Sequence, residues 1–344
     1  MTETAHSVLR PASGSTPPPR QRSALAALLL PVVMAVAIGS VFIGVYLSAF
    51  HAPVPRDLPV TVVGTAATAQ TVQDRLDARS PGGFHIERTA DTPAARAAVE
   101  HGDTFAAYLP HVPDTGSSGP QLLHAGAHGP AVSSVLLDAF GQLAEDDGRE
   151  LKSTDLVPAS ADDTRGLSVF YTTFGLVLAG YLFGIMTFQL APGISPARRL
   201  AGLAAFGGVG GVAVASIVAA FGALPAPFLG VAGLVALVAL AVGASTMLLV
   251  RGWGVVGSSL AAVIFMTIGN ATSGGSLPAE FLPDWLQPFS TALPVGVGVR
   301  AVNGLAYFHG DGVVSGVVIL VLWTMAGVLG LLLVERARQR RRTG

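Results

Sequence analysis

His124 and His128, in the stretch HAGAH, stand four residues apart, the spacing that lets two imidazoles on one helical face hold a divalent metal ion. The glycines around them and Pro130 work against a helix, so the stretch predicts two exposed loop histidines and no metal. The acidic run Glu145, Asp146 and Asp147 lacks the spaced oxygen donors and turn glycine of a calcium loop and reads as a solvated helix end. Serine, histidine and aspartate all occur between 51 and 166, yet none falls in a nucleophile-elbow pattern. Of the 20 basic residues only Lys152 is a lysine, and no glycine-rich phosphate loop precedes it. The absence of cysteine excludes disulfides and thiol chemistry. These residues predict no enzyme, no cofactor and no metal site.

The elements that would carry a site are mostly apolar. Half of the chain is hydrophobic, only 12% is charged, and the net charge of −1 argues against a nucleic-acid partner. Apolar blocks at 24–50, 167–190, 200–223, 228–250, 255–272 and 313–334 approach or exceed the roughly 20 helical residues needed to cross a bilayer. The first block is too long for a signal-peptide core, and SAFHAP offers no small-residue cleavage site, so it reads as a retained anchor. With the N-terminus inside, six crossings put Arg198, Arg199, Arg251 and the tail ERARQRRRTG on the cytoplasmic side, the positive-inside pattern. The fifth block is short and ends on Asn270, Thr272 and Ser273; a five-span count would put the arginine tail outside. None of the six blocks holds Asp, Glu, Lys, Arg or His. An acid or base at the bilayer centre costs about 2.5 to 3.5 kcal/mol and marks proton and ion pathways, so a carrier coupled through membrane carboxylates is disfavoured. The pairs Gly180/Gly184 and Gly207/Gly211 permit close helix approach and are expected to serve packing within one subunit.

Between the first two blocks, residues 51–166 read as an extracytoplasmic α/β domain. LPVTVV and FHIER have strand patterning, TFAAYLP and QLLHA follow as strands three and four, and helices intervene: one over 68–79 with Val72 and Leu76 inward, one capped at Asp91 or Thr92 with Pro93 in its first turn, and one from Pro130. In the last, Val132, Val135, Leu136, Ala139, Phe140 and Leu143 form one apolar face. The order β-α-β-α-β-β-α predicts a small mixed sheet packed by helices. EDDGRELKSTD reads as a solvated connection, PDTGSSGP as a surface turn, and residues 1–23 as a disordered cytoplasmic tail; residues 335–344 form a basic one.

The segment 273–312 contains SGGSLPAEFLPDWLQPFSTALP and then VGVGVRAVNGLAYF. Its prolines at 278, 283, 288 and 294 interrupt helix, while Phe281, Leu282, Trp285, Leu286 and Phe289 supply apolar bulk. Short re-entrant or interfacial helices fit this pattern, and so does a hydrophobic loop packed on the α/β domain. At Ser273, Gly274, Gly275, Pro278, Glu280, Pro283 and Pro294 the chain resembles the permeases of type-2 ABC exporters, and within them most the phage-infection-protein group of membrane proteins. The stretches LPVTVV and ARAAVEHGDTFAAYLP resemble that group's outer domain.

The resemblance implies a six-helix half-transporter in the plasma membrane, with both termini cytoplasmic and an outer domain between helices 1 and 2. It further implies pairing as a homodimer or with a second permease, and a separate cytoplasmic ATPase met near Arg198 and Arg199. Such a pair would export a hydrophobic or lipid-like substrate. The tail is rich in proline and serine where exporter permeases carry an amphipathic helix, and APGISPARR is short for a coupling helix. A non-transporting envelope protein, acting as receptor, scaffold or secretion accessory, is therefore the alternative.

Overall fold

The computed structural model describes residues 24–111 and 119–343. The proposed disordered tail and most of the PDTGSSGP turn lie outside the described residues. The chain divides at Ser40, inside the first helix α1 (Ala24–Phe50), into two compact units, and the second, Val41–Gly344, holds the sheet and all later helices.

The α/β lobe comprises β1 (Leu58–Val63), α2 (Ala66–Asp77), β2 (Phe84–Thr89), α3 (Thr92–His101), β3 (Ala106–Leu109), β4 (Gln121–His124), α4 (Pro130–Asp146) and β5 (Lys152–Asp155). The strands lie in the order β2-β1-β3-β4-β5. β1 is parallel to both β2 and β3, β4 is antiparallel to β3, and β5 is parallel to β4. Side chains alternate across a strand, and both faces are used. Leu58, Val60, Val62, Tyr108 and Leu122 meet Val72 and Leu76 of α2 and Leu136, Phe140 and Leu143 of α4, while Ala107, Leu109 and Leu123 meet Ala95 and Val99 of α3. α2 begins two residues before the predicted start because the Thr65 hydroxyl accepts the Thr68 N–H at 3.2 Å. α3 has Asp91 at its cap position and ends at Gly102, whose φ of 82° is a left-handed conformation that favours glycine.

β5 corrects the reading of KSTD as part of a solvated connection. Its side chains are mostly exposed, so hydropathy carries no strand signal; what holds it is backbone pairing from Gln121 to His124. The acidic run does close α4, where Asp146 and Asp147 receive Arg75, and Asp146 also receives Arg79. The two guanidiniums, Arg79 foremost, hold the Asp146 carboxyl below its ordinary range.

Among the described residues five helices are long and apolar enough to cross a membrane: α1 over Pro31–Phe50, α5 (Ser168–Gln189), α6 (Pro196–Ala220), α7 (Phe228–Trp253) and α12 (Val313–Thr343) over Val313–Arg341. The sixth expected span is a shorter, broken helix. α8 (Val255–Ala261) passes through a π-helical stretch, Ala262–Ile268, into α9 (Gly269–Ala271). The arginine tail, expected to follow the last span as a separate segment, continues α12 as helix.

Over its most apolar window α7 is 61% buried against 39% or less for the other four, so the bundle is organised around it. Gly180 and Gly184 of α5 lie against Ala239, Gly243 and Thr246; Gly207 and Gly211 of α6 lie against Ala232, Ala236 and Leu240; Gly327 and Gly330 of α12 lie against Ala244 and Leu248. Both glycine pairs thus pack within the subunit, as expected. These pairings run α5 and α12 parallel to α7, and α6 antiparallel to it. Gly254, at φ 61°, turns the chain from α7 into α8, so α8 and α9 carry it back toward the lobe end.

α10 (Gln287–Ala292) and α11 (Pro294–Tyr307) then form a helical hairpin. Trp323 donates its indole N–H to the Ala292 carbonyl at the tip, ten residues and so about 15 Å into α12. α11 returns beside α5, α7 and α12, ending where the Tyr307 hydroxyl accepts the Ser160 N–H. The hairpin enters the bundle, while the residues before and after it pack on the lobe.

A Cβ on Gly211 would stand 2.4 Å from the Ala232 carbonyl oxygen, whereas one on Gly208 meets nothing within 4 Å. Gly211→Ala is expected to destabilise the protein by about 1–3 kcal/mol and Gly208→Ala to leave it unchanged or more stable. Thermal unfolding of the two variants in detergent reads the difference directly.

Candidate functional site

Along α11 the residues Gly296, Val299, Arg300, Asn303 and Gly304 recur at the i, i+3, i+4 spacing of a single helical face. That face lines a cavity of about 290 Å³ between the helices and the lobe. Asp103, Phe105 and His128 of the lobe form the opposite wall, with Ser273–Gly275 and Pro278–Glu280 along one side and Phe308 and Asp311 at the end of α11.

Two phenylalanines fix the seam. Phe281 is buried in the core between the sheet and α2/α4, and Phe308 in the core between the sheet and α3, so the segment around the hairpin grips both faces of the sheet. Arg56 fastens the same segment, donating its backbone N–H to the Glu280 carbonyl at 2.7 Å and its guanidinium to the Phe281 carbonyl at 3.0 Å. At the cavity floor the Ser273 hydroxyl accepts the Gly275 N–H, and Gly275 lies so close to Phe170 that a Cβ would meet its ring at 2.5 Å. The Asp163 carboxylate caps α5 by accepting the N–H groups of Leu167 and Ser168 at 3.0 and 2.9 Å.

Of the residues singled out from the resemblance, Ser273, Gly274, Gly275, Pro278 and Glu280 line the cavity. Pro283 opens the turn closed by the Leu286 N–H, and Pro294 begins α11. Arg198 is exposed beside the α6 cap, but Arg199 is buried. Its guanidinium donates to the Thr187 and Ala191 carbonyls and stacks over Phe188 at 3.9 Å, fastening α6 to the end of α5.

His124 and His128 are not the exposed loop histidines the sequence predicts. His124 lies on β4, 7% exposed. His128, in a short 3-10 turn, stacks between Phe105 and Phe308 with ring centroids at 4.3 and 4.6 Å. The residue as a whole keeps some exposure, but its Nε2 is inaccessible and has no hydrogen-bond partner. Burial lowers its pKa from 6.5 to about 4, so the ring is neutral at physiological pH. His124 is shifted down by burial as well, against the pull of Asp155. Their spacing falls on a strand and a turn, and among the described residues no group of three or more histidines and carboxylates is placed to hold a metal.

Asn303, which also lines the cavity, carries a second buried polar atom without a partner, Oδ1. Sequence reasoning passed over Asp103, Arg300, Asn303, Phe308 and Asp311 as site residues and weighed His128 only as a metal ligand. Only the α11 residues carried a signal, the helical spacing in GVGVRAVNG; the others come together through the fold. The chain matches no protein-family model, no curated protein and no solved structure.

A histidine whose pKa falls on folding favours the folded state fully above pH 6.5 and progressively less as pH drops toward 4, because the unfolded chain binds the extra proton. Between these limits His128 is expected to reduce stability by about 1.4 kcal/mol per pH unit. Unfolding midpoints of the wild type should therefore fall more steeply from pH 6.5 to 4.5 than those of His128→Gln, and parallel slopes would refute the assignment.

Proposed function

We propose that the protein is the permease-like subunit of an ATP-driven exporter of the type-2 ABC class, set in the plasma membrane with both termini cytoplasmic and the lobe outside. The observation that carries the reading is the parallel course of α7 and α12. Gly327 and Gly330 follow Ala244 and Leu248 in step, and Glu335 accepts both arms of the Arg251 guanidinium at their far ends. Two parallel spans need a return crossing between them, and in this reading the shorter apolar stretch of α8 and α9 is that crossing, for six in all. The α10/α11 hairpin before the last span, the lobe between the first two, and the arginines at 198, 251 and 336–342 all at the far end support the same reading. ATP hydrolysis would come from a separate cytoplasmic subunit, with Arg198 near the contact, and two copies or two related permeases would pair. The uncharged helices suit a hydrophobic or lipid-like cargo moved outward.

One observation favours the alternative, a non-transporting envelope receptor or scaffold of the same architecture. The α5–α6 connection holds no helix, and Arg199 is engaged internally, which leaves little surface for an ATPase to push on.

Because the chain has no cysteine, single-cysteine variants report topology without background. Cysteine at Asp138 should react with a membrane-impermeant maleimide in intact cells, and cysteine at Gly193 only after permeabilisation; the reverse pattern would overturn the proposed orientation, and a cysteine at Arg341 that reacts in intact cells would overturn the six crossings. Affinity purification from native membranes should recover an ATPase with the exporter, and an intact complex without one would favour the receptor.

A further inference from the structure

α12 continues as helix well past its apolar part. Val318, Leu322, Met325, Leu329 and Leu333 recur every three or four residues and each is at least half exposed, so they form one ridge along the helix. Arg336 and Arg340 continue that ridge at the same spacing, Arg341 follows, and all three are exposed. At a helical rise of about 1.5 Å per residue the uncharged run 313–334 is about 33 Å long, close to the roughly 30 Å of a hydrocarbon core. Arg336 then stands about 3 Å and Arg341 about 10 Å past its end, where the headgroup layer is roughly 5–8 Å deep. Long arginine stems let the outer guanidiniums lie back into that layer. The exposed ridge thus changes from apolar to basic at headgroup depth.

The basic extension is held in place. Glu335 accepts both arms of Arg251, and Arg338 donates to the Arg251 carbonyl at 2.7 Å, which clamps the last turns of α12 to the end of α7. Glu335 is the single carboxylate in 190–200, 250–258 and 331–344, and it faces Arg251, so this end of the bundle is strongly positive. Trp253, 61% exposed, closes α7 at the same end; its amphipathic ring suits the headgroup level. A guanidinium fork matches two phosphate oxygens at once. A soluble subunit would meet the tip of α12, whereas Arg336 lies on its flank, in line with the apolar ridge. We infer that this end of α12 binds anionic phospholipid, the headgroup phosphates on Arg336, Arg340 and Arg341, the acyl chains along Leu329 and Leu333, and Trp253 at the same depth. Such binding requires only that α12 crosses a bilayer, in either orientation and without an ATPase, so it would serve an exporter and a receptor alike.

The test uses the full chain in phosphatidylcholine nanodiscs that contain a trace of phosphatidylglycerol or phosphatidylcholine bearing a diazirine high on one acyl chain. The phosphatidylglycerol probe should photolabel residues 325–337 roughly fivefold more than the phosphatidylcholine probe, the factor that one basic residue near an anionic surface is worth. The ratio should fall toward one at about 1 M salt, where charges are screened within about 3 Å. In Arg336→Gln/Arg340→Gln/Arg341→Gln, which keeps the Arg251–Glu335 clamp, the ratio should also fall to near one while phosphatidylcholine labelling stays at the wild-type level, the sign that the variant is folded and inserted. Equal labelling of the unmodified chain by the two probes, or a ratio that the triple variant leaves unchanged, would overturn the site. A triple variant that keeps its lipid ratio but loses a copurifying soluble protein would overturn it as well and assign the arginines to that protein.

Discussion

The arrangement of the helices depends on how closely they can approach α7. Lipid offers apolar side chains the same surroundings as a neighbouring helix does, so association within a membrane relies on van der Waals contact and on small residues that let backbones come near. Six glycines, at 180, 184, 207, 211, 327 and 330, provide that approach from three helices. With α5, α6 and α12 seated against α7, the positions of their lobe ends are set, and α11 fits beside α5, α7 and α12 with one face turned to the lobe. The cavity follows from this packing: its helical wall is the side of α11 that no other helix covers.

The seam between bundle and lobe is apolar where it holds and polar where it opens. Phe281 and Phe308 enter opposite faces of the sheet, so movement of the α10/α11 hairpin relative to the lobe would have to withdraw a buried aromatic ring. Leu282 and Leu286 extend the same segment onto Val45 and Ala49 of α1 and Ala271 of α9, and Tyr46 accepts a hydrogen bond from Asn270. The cavity is therefore lined by the hairpin, the lobe and the start of α5 together.

The far end of the bundle is held by charge instead. Arg251 and Glu335 form a two-armed pair with side chains 21% and 16% exposed, and Arg338 reaches the carbonyls of Arg251 and Gly252. Removing one partner of such a shielded pair costs more than the pair contributes, because a lone charge is left behind. Together with the inward-turned Arg199, this ties α5 to α6 and α7 to α12 at that end and leaves Arg198 exposed.

The amino-acid sequence by itself determined the apolar runs, their freedom from charge, the alternation that makes strands of LPVTVV and QLLHA, and the helical faces of α2 and α4. Each rests on a local period or a single residue's chemistry and can be read along the chain. It also marked Ser273 to Pro294 as unable to continue a helix. Only the tertiary structure decided that KSTD is a strand, because backbone pairing with β4 holds it and its side chains contribute almost nothing; that the fifth apolar block breaks into α and π stretches; and that His128 is enclosed by Phe105 and Phe308. The cavity itself belongs to this second class. Asp103, His128, Glu280, Asn303 and Asp311 come from five separate elements, and their meeting depends on sheet order and helix packing, long-range geometry that no local pattern of hydropathy or charge encodes.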